Sequence, residues 1–397
     1  FGMILSLILF IQSISASFIS GGAMPDGKVD KVVGAKGEWH APVYGAEVLV
    51  SMAPDWQALR DWNDAAIGVG FGYWNLGHEK LGHAITPYIY MDVPLVCLPY
   101  FEFGLRPGVG AAFVTRTYRN TVPDGHMFVD VTDANDCIGS VANFYFPEAL
   151  YMNFPLKDGW SLSLAGGWYH ISNGSVRQPN SGYNIFAGEL GVKYDWTSSA
   201  GYSSRDKSSR LLCDKQWSVT VAGTASGRQV YYKDQQTFFV GSMHMAAYWH
   251  AHRIFRLGGG VDVFYDGAYV QRETKFVKTN LSLAQPGDCW RVGLSVQPEF
   301  VVGNFTAGFH VGAYMYDPVK ELEPQWKEDG LPTQRLDKPI FYAYDMLNAG
   351  SAGHPDGWLY TEVVLRYHLP WNIFVQGMMK SHLTKVEFVS LGLGFYY

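Results

Sequence analysis

Segments of roughly 10 to 14 residues, rich in Tyr, Phe, Val and Gly, recur along this chain, alternate apolar with small or polar side chains, and are separated by polar loops. An alternation of period two sends successive side chains to opposite faces of a strand, so each segment has one greasy face and one wet or small face. Such segments fall at 29–37, 43–52, 65–75, 83–96, 100–115, 140–156, 160–172 and 184–196, and again at 216–230, 237–250, 253–266, 288–302, 304–316, 357–369, 371–382 and 386–397. The expected fold is all-β: a transmembrane antiparallel β-barrel of about sixteen strands. The alternative is an eight-stranded barrel followed by a second β unit. A single sixteen-strand barrel is the preferred form, because lateral continuity needs no second closure. The last strand ends Val389, Leu391, Leu393, Phe395, Tyr397, alternating with Ser390, Gly392, Gly394 and Tyr396. This closing aromatic strand resembles the insertion signal of bacterial outer-membrane proteins.

Composition narrows the choice. Aromatic residues make up 16% and charged residues 17%, against about 25% charged in soluble domains. The most strongly apolar run, Met3 to Ile11, is far short of the roughly 18 to 20 residues that a membrane helix needs. A soluble all-β sandwich would also alternate, but exposed aromatics and Gly-rich inner positions fit lipid and lumen better. A net charge of -6 offers no basic field for phosphates, so no nucleic-acid partner is expected. Met3 to Ile11, followed by Ser13, Ser15, Ala16 and Ser17, is read as the apolar part and cleavage region of a secretory signal peptide over 1–17. Its basic start is missing, and Phe1 in place of Met is read as a start truncated by a few residues.

The expected organisation is then a first eight-strand half over 18–196, a Ser- and charge-rich linker over 197–214, and a second eight-strand half over 215–397. Outer-membrane barrels have short periplasmic turns and long outer loops. Short links at Cys97 to Pro99, Lys157 to Gly159, around Ala251, at Gly303 and at Leu369 to Trp371 fall mostly on one side. Long ones at Arg116 to Gly139, Gly267 to Asp288 and Asp317 to Asp356 fall mostly on the other, and are candidates for surface recognition. The inner linkers 53–64 and 197–214 are longer than the rule prefers. The same topology puts Cys97 and Cys213 on the periplasmic side, and Cys137 and Cys289 on the outer side, which predicts those two disulfides. No CxxC or Cys/His cluster points to a metal, and no cofactor is expected.

Chemistry concentrates at the end of the strand 160–172. Its even positions, Trp160, Leu162, Leu164, Gly166, Trp168, His170 and Ser172, form the greasy face. His170 and Ser172 therefore continue the lipid-facing stripe at its outer end, and Asn184 joins them from the next strand. A hydroxyl, an imidazole and a third polar group at the rim of the hydrocarbon could hydrolyse a membrane lipid ester, with His deprotonating Ser and the third group holding its tautomer. A bare His-x-Ser pair is more often polar decoration at a strand end. His40, His83, His244 and His382 are read as interfacial or lumen residues of that kind.

The longer pattern shifts the balance: His170, Ile171, Ser172, Asn173, Gly174, then Gln178, Pro179, Asn180, Ser181, Gly182, Tyr183 and Asn184. It resembles the H-x-S-N motif and P-N-x-G loop of PagL-type lipid A deacylases and of the longer bacterial acyloxyacyl hydrolases. Cys137 to Ser140 also look similar to the longer chains, whereas the second half is similar only in general pattern. The resemblance implies an outer-membrane barrel that removes the ester-linked 3-position acyl chain of lipid A without a metal, with Ser172 as nucleophile and His170 as base. It also implies that Asn180 helps bind the oxyanion, assisted by backbone N–H groups near Asn173 and Gly174. The partner is then lipopolysaccharide in the outer leaflet of the bacterial outer membrane, and a homodimer is left open. One departure matters: the family's Glu, twelve residues after the Ser, is Asn184 here. An amide oxygen can fix the His tautomer but supplies no charge to an imidazolium. Glu189 is rejected as a substitute because its parity sends it to the lumen. The competing reading is a non-catalytic barrel, a channel or surface protein with a relic motif. Lys380, Ser381 and His382 stand near the corresponding place of the second half, where an old duplicate of the dyad would lie.

Overall fold

The computed structural model describes residues 11–24, 40–52, 54, 56–121, 134–135, 137–196, 216–229, 237–267, 287, 289–317, 359–382 and 385–397. Its strands are β1 (Ile11–Ala23), β2 (His40–Met52), β3 (Ala66–Asn75), β4 (His83–Leu98), β5 (Phe101–Val114), β6 (Ala142–Pro155), β7 (Trp160–Ser172) and β8 (Tyr183–Asp195). There follow β9 (Trp217–Arg228), β10 (Phe238–His252), β11 (Phe255–Asp266), β12 (Trp290–Val302), β13 (Phe305–Tyr316), β14 (Leu359–His368), β15 (Ile373–His382) and β16 (Lys385–Tyr396). Two single-turn helices, α1 (Gln57–Arg60) and α2 (Tyr118–Thr121), sit in connections. Each antiparallel neighbour pairs in sequence order, and the sheet closes twice: β1 to β8 form one barrel and β9 to β16 another.

The strand count is the expected one, but the single wide sheet gives way to two separate closures. In the first barrel β8 pairs along β1, with Phe18 opposite Leu190. In the second β16 pairs along β9, with Leu393 opposite Gly223. Once β1 meets β8 the sheet has no free edge, so nothing remains for β9 to extend.

The first strand also differs. Ile11 to Ser17, read as part of a signal peptide, belong to β1, which pairs with both β2 and β8. Ser13, Ser15 and Ser17 are buried there while Phe18 is 58% exposed. Small residues suit an inward-facing stripe as well as a cleavage region, which is why the two readings coincide. The strand expected at 29–37 and the linker 197–214 lie outside the described residues.

Alternation accounts for both surfaces of each barrel. Val69, Phe71, Ile89, Leu150 and Leu190 are exposed on the first, and Val219, Met245, Val296 and Phe309 on the second, as an apolar lipid-facing band requires. The interiors are polar, and many of their charged groups are paired. In the first barrel Tyr88 donates to Glu47 (2.6 Å) and Arg106 grips both oxygens of Asp92 (2.6 and 3.0 Å). Large rings need bare backbone opposite them. A Cβ on Gly70 would fall 2.3 Å from Cζ of Tyr88, and one on Gly312 would fall 2.1 Å from Cζ of Tyr360. Eight strands enclose a space that side chains just fill, and these rings fill it. In the first barrel the links after β4 and β6 are tight, the latter turning through Asp158 (φ 56) and Gly159 (φ 84), a type I′ pattern. The link 53–65 after β2 lies at that same end and is longer, while the connections after β1, β3, β5 and β7 lie at the opposite end, where β7 delivers Ser172.

Because the first barrel closes without help from β9 to β16, a chain ending at Trp196 is expected to fold in detergent and keep the heat-modifiable gel mobility of a closed barrel. Aggregation of that fragment under conditions where the whole chain folds would contradict self-sufficient closure.

Candidate active site

Cross-strand register assembles the site at the long-loop end of β6, β7 and β8. His170 stands opposite Phe146 on one side and Asn184 on the other, and Ser172 stands opposite Phe144. These residues share the outward face, whereas Tyr169, Ile171 and Tyr183, of the other parity, are buried in the barrel core. His170 is held flat between rings, stacked on Trp168 (centroids 5.3 Å apart) and tilted against Phe146 (6.3 Å). Its Nδ1 lies 2.7 Å from Oδ1 of Asn184.

One further contact decides the protonation pattern. The indole Nε1 of Trp168 donates to the same Asn184 Oδ1 at 3.1 Å. An indole N–H can only donate, so it selects the amide oxygen, and that oxygen can only accept. His170 Nδ1 must then carry the proton. Nε2 is left with a free lone pair, on the face that Ser172 shares two residues along.

Ser172 is on the outward face but only 3% exposed, and Asn180 reaches it from the connection to β8. Asn180 Nδ2 donates to Ser172 Oγ at 3.3 Å, while Asn180 Oδ1 accepts from the backbone N–H of Asn173 at 3.1 Å. The Asn173 side chain donates to Ser140 Oγ (2.8 Å), tying the loop to the segment before β6. Gly174 follows at φ +63. Gly182, at φ +77, has no room for a side chain: a Cβ there would sit 2.8 Å from Cε1 of His170. The glycine of the P-N-x-G sequence is thus the floor on which the imidazole rests.

Towards the middle of the strands the outer wall is hollowed by a groove of about 720 Å³, bordered by Trp168, Phe186, Leu105 and Leu150. Its base is the facing pair Gly166 and Gly188. A Cβ on either would meet nothing nearer than a backbone oxygen at 3.7 or 3.8 Å, so the hollow exists because those side chains are missing.

The other sequence candidates go elsewhere. Glu189 is buried and accepts from Tyr169 within the lumen. His83 stacks on Tyr73 with Nδ1 3.0 Å from its hydroxyl, and the side chain of His40 lies outside the described residues. Cys97 is half-buried near the end of β4, Cys137 and Cys289 are buried in separate barrels, and Cys213 lies outside the described residues. β15 is the seventh strand of its barrel, as β7 is of the first. Its Lys380 and His382 turn inward to Glu387, and Ser381 bonds Thr361 (2.7 Å). A register shift between Lys380 and Ser381 accompanies this, so the dyad is not repeated. Sequence reasoning passed over Trp168 and Ser140, although Trp168 stands at the same parity as His170, one turn of the alternation away.

Closed eight-stranded barrels with an apolar outer band define a membrane protein of outer-membrane type. Residues 44–193 match the family described as lipid A 3-O-deacylase (PagL), and residues 215–342 match the acyloxyacyl hydrolase C-terminal domain. The chain belongs to this PagL and acyloxyacyl hydrolase family, a family of hydrolases. No curated protein matches it. Among solved structures, Neisserial surface protein A is similar at 11% identity and a TM-score of 0.28, covering 46% of this chain and 96% of that one. A mutant of Rh. blastica porin is similar at 10% identity and a TM-score of 0.18, covering 97% and 99%. Both likenesses are too slight to carry an argument.

Replacing Trp168 by Phe keeps the stacking ring and removes the N–H that orients Asn184, at a cost of about 1 kcal/mol in hydrogen bonding. The expected result, read from the ¹⁵N shifts of His170, is a mixture of the two imidazole tautomers in place of one. An unchanged tautomer in Trp168→Phe would show that Asn184 is oriented by something else.

Proposed function

We propose that the first barrel is an esterase of the bacterial outer membrane that removes an ester-linked acyl chain from lipid A in the outer leaflet. The reading rests above all on the Trp168–Asn184–His170 chain, which leaves Nε2 unprotonated on the face occupied by Ser172. Nε2 takes the proton of Ser172 Oγ as the oxygen attacks the ester carbonyl. The bond from the acyl carbon to the sugar oxygen then breaks as the imidazolium gives that proton to the departing alkoxide, which leaves as the sugar hydroxyl. Water, deprotonated by the same Nε2, releases the fatty acid from Ser172.

Asn180 is the side chain best placed to donate to the oxyanion, since its Nδ2 already reaches Ser172 Oγ. The Asn173 N–H is occupied by Asn180 Oδ1, so it serves to aim Asn180. The acyl chain would lie in the groove under Trp168, where the bare Gly166 and Gly188 leave room for methylenes. Asn184 brings no charge to the imidazolium, which makes this site a slower version of one with a carboxylate there. The channel alternative has little support, because side chains fill the lumen of the first barrel.

Mass spectrometry of lipid A from cells making the whole chain provides the test. Loss of one acyl mass is expected, with His170→Ala and Ser172→Ala each reducing it by about a thousandfold or more. Asn184→Glu is expected to raise the rate. Lipid A left intact by a correctly inserted protein would overturn the deacylase reading.

A further inference from the structure

The interior of the second barrel holds a cluster that the esterase chemistry leaves unused. His244 on β10 and Asp262 on β11 are direct cross-strand partners, with Nδ1 and Oδ1 2.8 Å apart. Glu362 enters from β14, and its Oε1 is 3.8 Å from His244 Nδ1. One donor atom from each of the three residues lies within 4.8 Å of the other two.

Three features recommend this cluster. The first is charge. Glu299 takes Arg256 and Arg366, Glu387 takes Arg291 and Lys380, and Asp266 takes Arg228. Lys380 is the cross-strand neighbour of Glu362 but is drawn to Glu387 instead. Asp262 and Glu362 face histidines, Tyr360 and Ser295, and among the described residues no lysine or arginine pairs with either. Two carboxylates without a cation are costly in a buried interior.

The second feature is an unsatisfied atom. Glu362 is fully buried, and its Oε1 has no hydrogen-bond partner among the described residues. The other oxygen, Oε2, is 3.4 Å from His310 Nδ1, so the free one is turned towards His244 and Asp262.

The third is the support behind each donor. Asp262 Oδ2 accepts from Tyr360 at 2.6 Å, leaving Oδ1 for the cluster. His244 Nε2 is 2.6 Å from Ser242 Oγ, which in turn meets Thr224 at 2.6 Å. A metal-ligating imidazole characteristically has its second nitrogen occupied in this way. Ser242, His244 and Asp262 also have the order of a hydrolytic triad, but Ser242 is buried in the lumen and its hydroxyl is shared with Thr224.

We propose that His244, Asp262 and Glu362 bind one divalent transition-metal ion inside the second barrel, through Nδ1, Oδ1 and Oε1. Ligands about 2.0 to 2.1 Å from a tetrahedral ion lie about 3.4 Å from one another, a small adjustment from the present spacing. An imidazole with two carboxylates suits zinc or manganese better than calcium or magnesium. On binding, the imidazole proton resides on Nε2 and is donated to Ser242. The ion neutralises both acids and ties β10 and β11 to β14 across the interior. The three residues are far apart in sequence, which is why no ligand spacing revealed them.

The experiment uses the whole, tag-free chain folded in detergent, stripped with chelator and then exposed to zinc. One zinc ion per chain is expected to survive gel filtration. Glu362→Gln and Asp262→Asn, which keep side-chain shape, are expected to lose it, and Ser242→Ala to weaken it by about 10- to 100-fold. Wild type retaining no more zinc than Glu362→Gln would overturn the proposal. Cobalt added to the wild type alone gives a reading independent of whether the variants fold: a visible absorption band of a nitrogen and oxygen site is expected, and its absence at saturating cobalt would equally overturn it.

Discussion

Everything in this molecule depends on each sheet finding its own edge. In a hydrocarbon surround an unpaired backbone N–H or C=O costs several kcal/mol, so a strand edge cannot be left facing lipid. The pairing of β1 with β8, and of β16 with β9, removes both edges of both sheets. That closure fixes which side chains point inward. It also commits each interior to the volume of an eight-strand ring, small enough that rings and ion pairs fill it, and it leaves the outer wall as the place where the first barrel meets a lipid.

Most of the strand pattern was legible because lipid and lumen impose opposite demands on neighbouring residues, and that contrast survives in the sequence as alternation. β7 matched its expected span of 160–172 and β15 ended at the expected His382. Alternation says nothing about which strand follows the last one around the ring. The choice between one sheet and two was therefore set by the register of β1 against β8, and Ile11 to Ser17 supplied β1 while resembling a leader. The outward parity of His170, Ser172 and Asn184 was readable for the same reason that the strands were. The covering of Ser172 by Asn180 was not, since it depends on the path of a loop with positive φ at Gly174 and Gly182. Trp168 was visible as a greasy residue, but its N–H acts through a contact that only the paired strands reveal.

The two barrels place similar residue types in opposite surroundings by parity alone. In β7 the imidazole of His170 falls on the outward face among Trp168 and Phe146. In β10 the imidazole of His244 falls on the inward face, between Ser242 and Asp262. A shift of one residue along either strand would exchange these roles. The outward imidazole meets a neutral amide and flat rings, while the inward one meets carboxylates that must be balanced inside a closed space.

In the proposed esterase His170 and Ser172 lie on the outer face of the wall and not in the lumen, so the lipid would arrive by lateral diffusion within the leaflet. The quantity governing encounter is then the mole fraction of the lipid in the surface around the barrel, not its concentration in the bulk phase. Diluting that surface with inert amphiphile at constant total lipid would slow turnover as effectively as removing substrate. A soluble esterase acting on a dissolved ester would have no counterpart to this dependence.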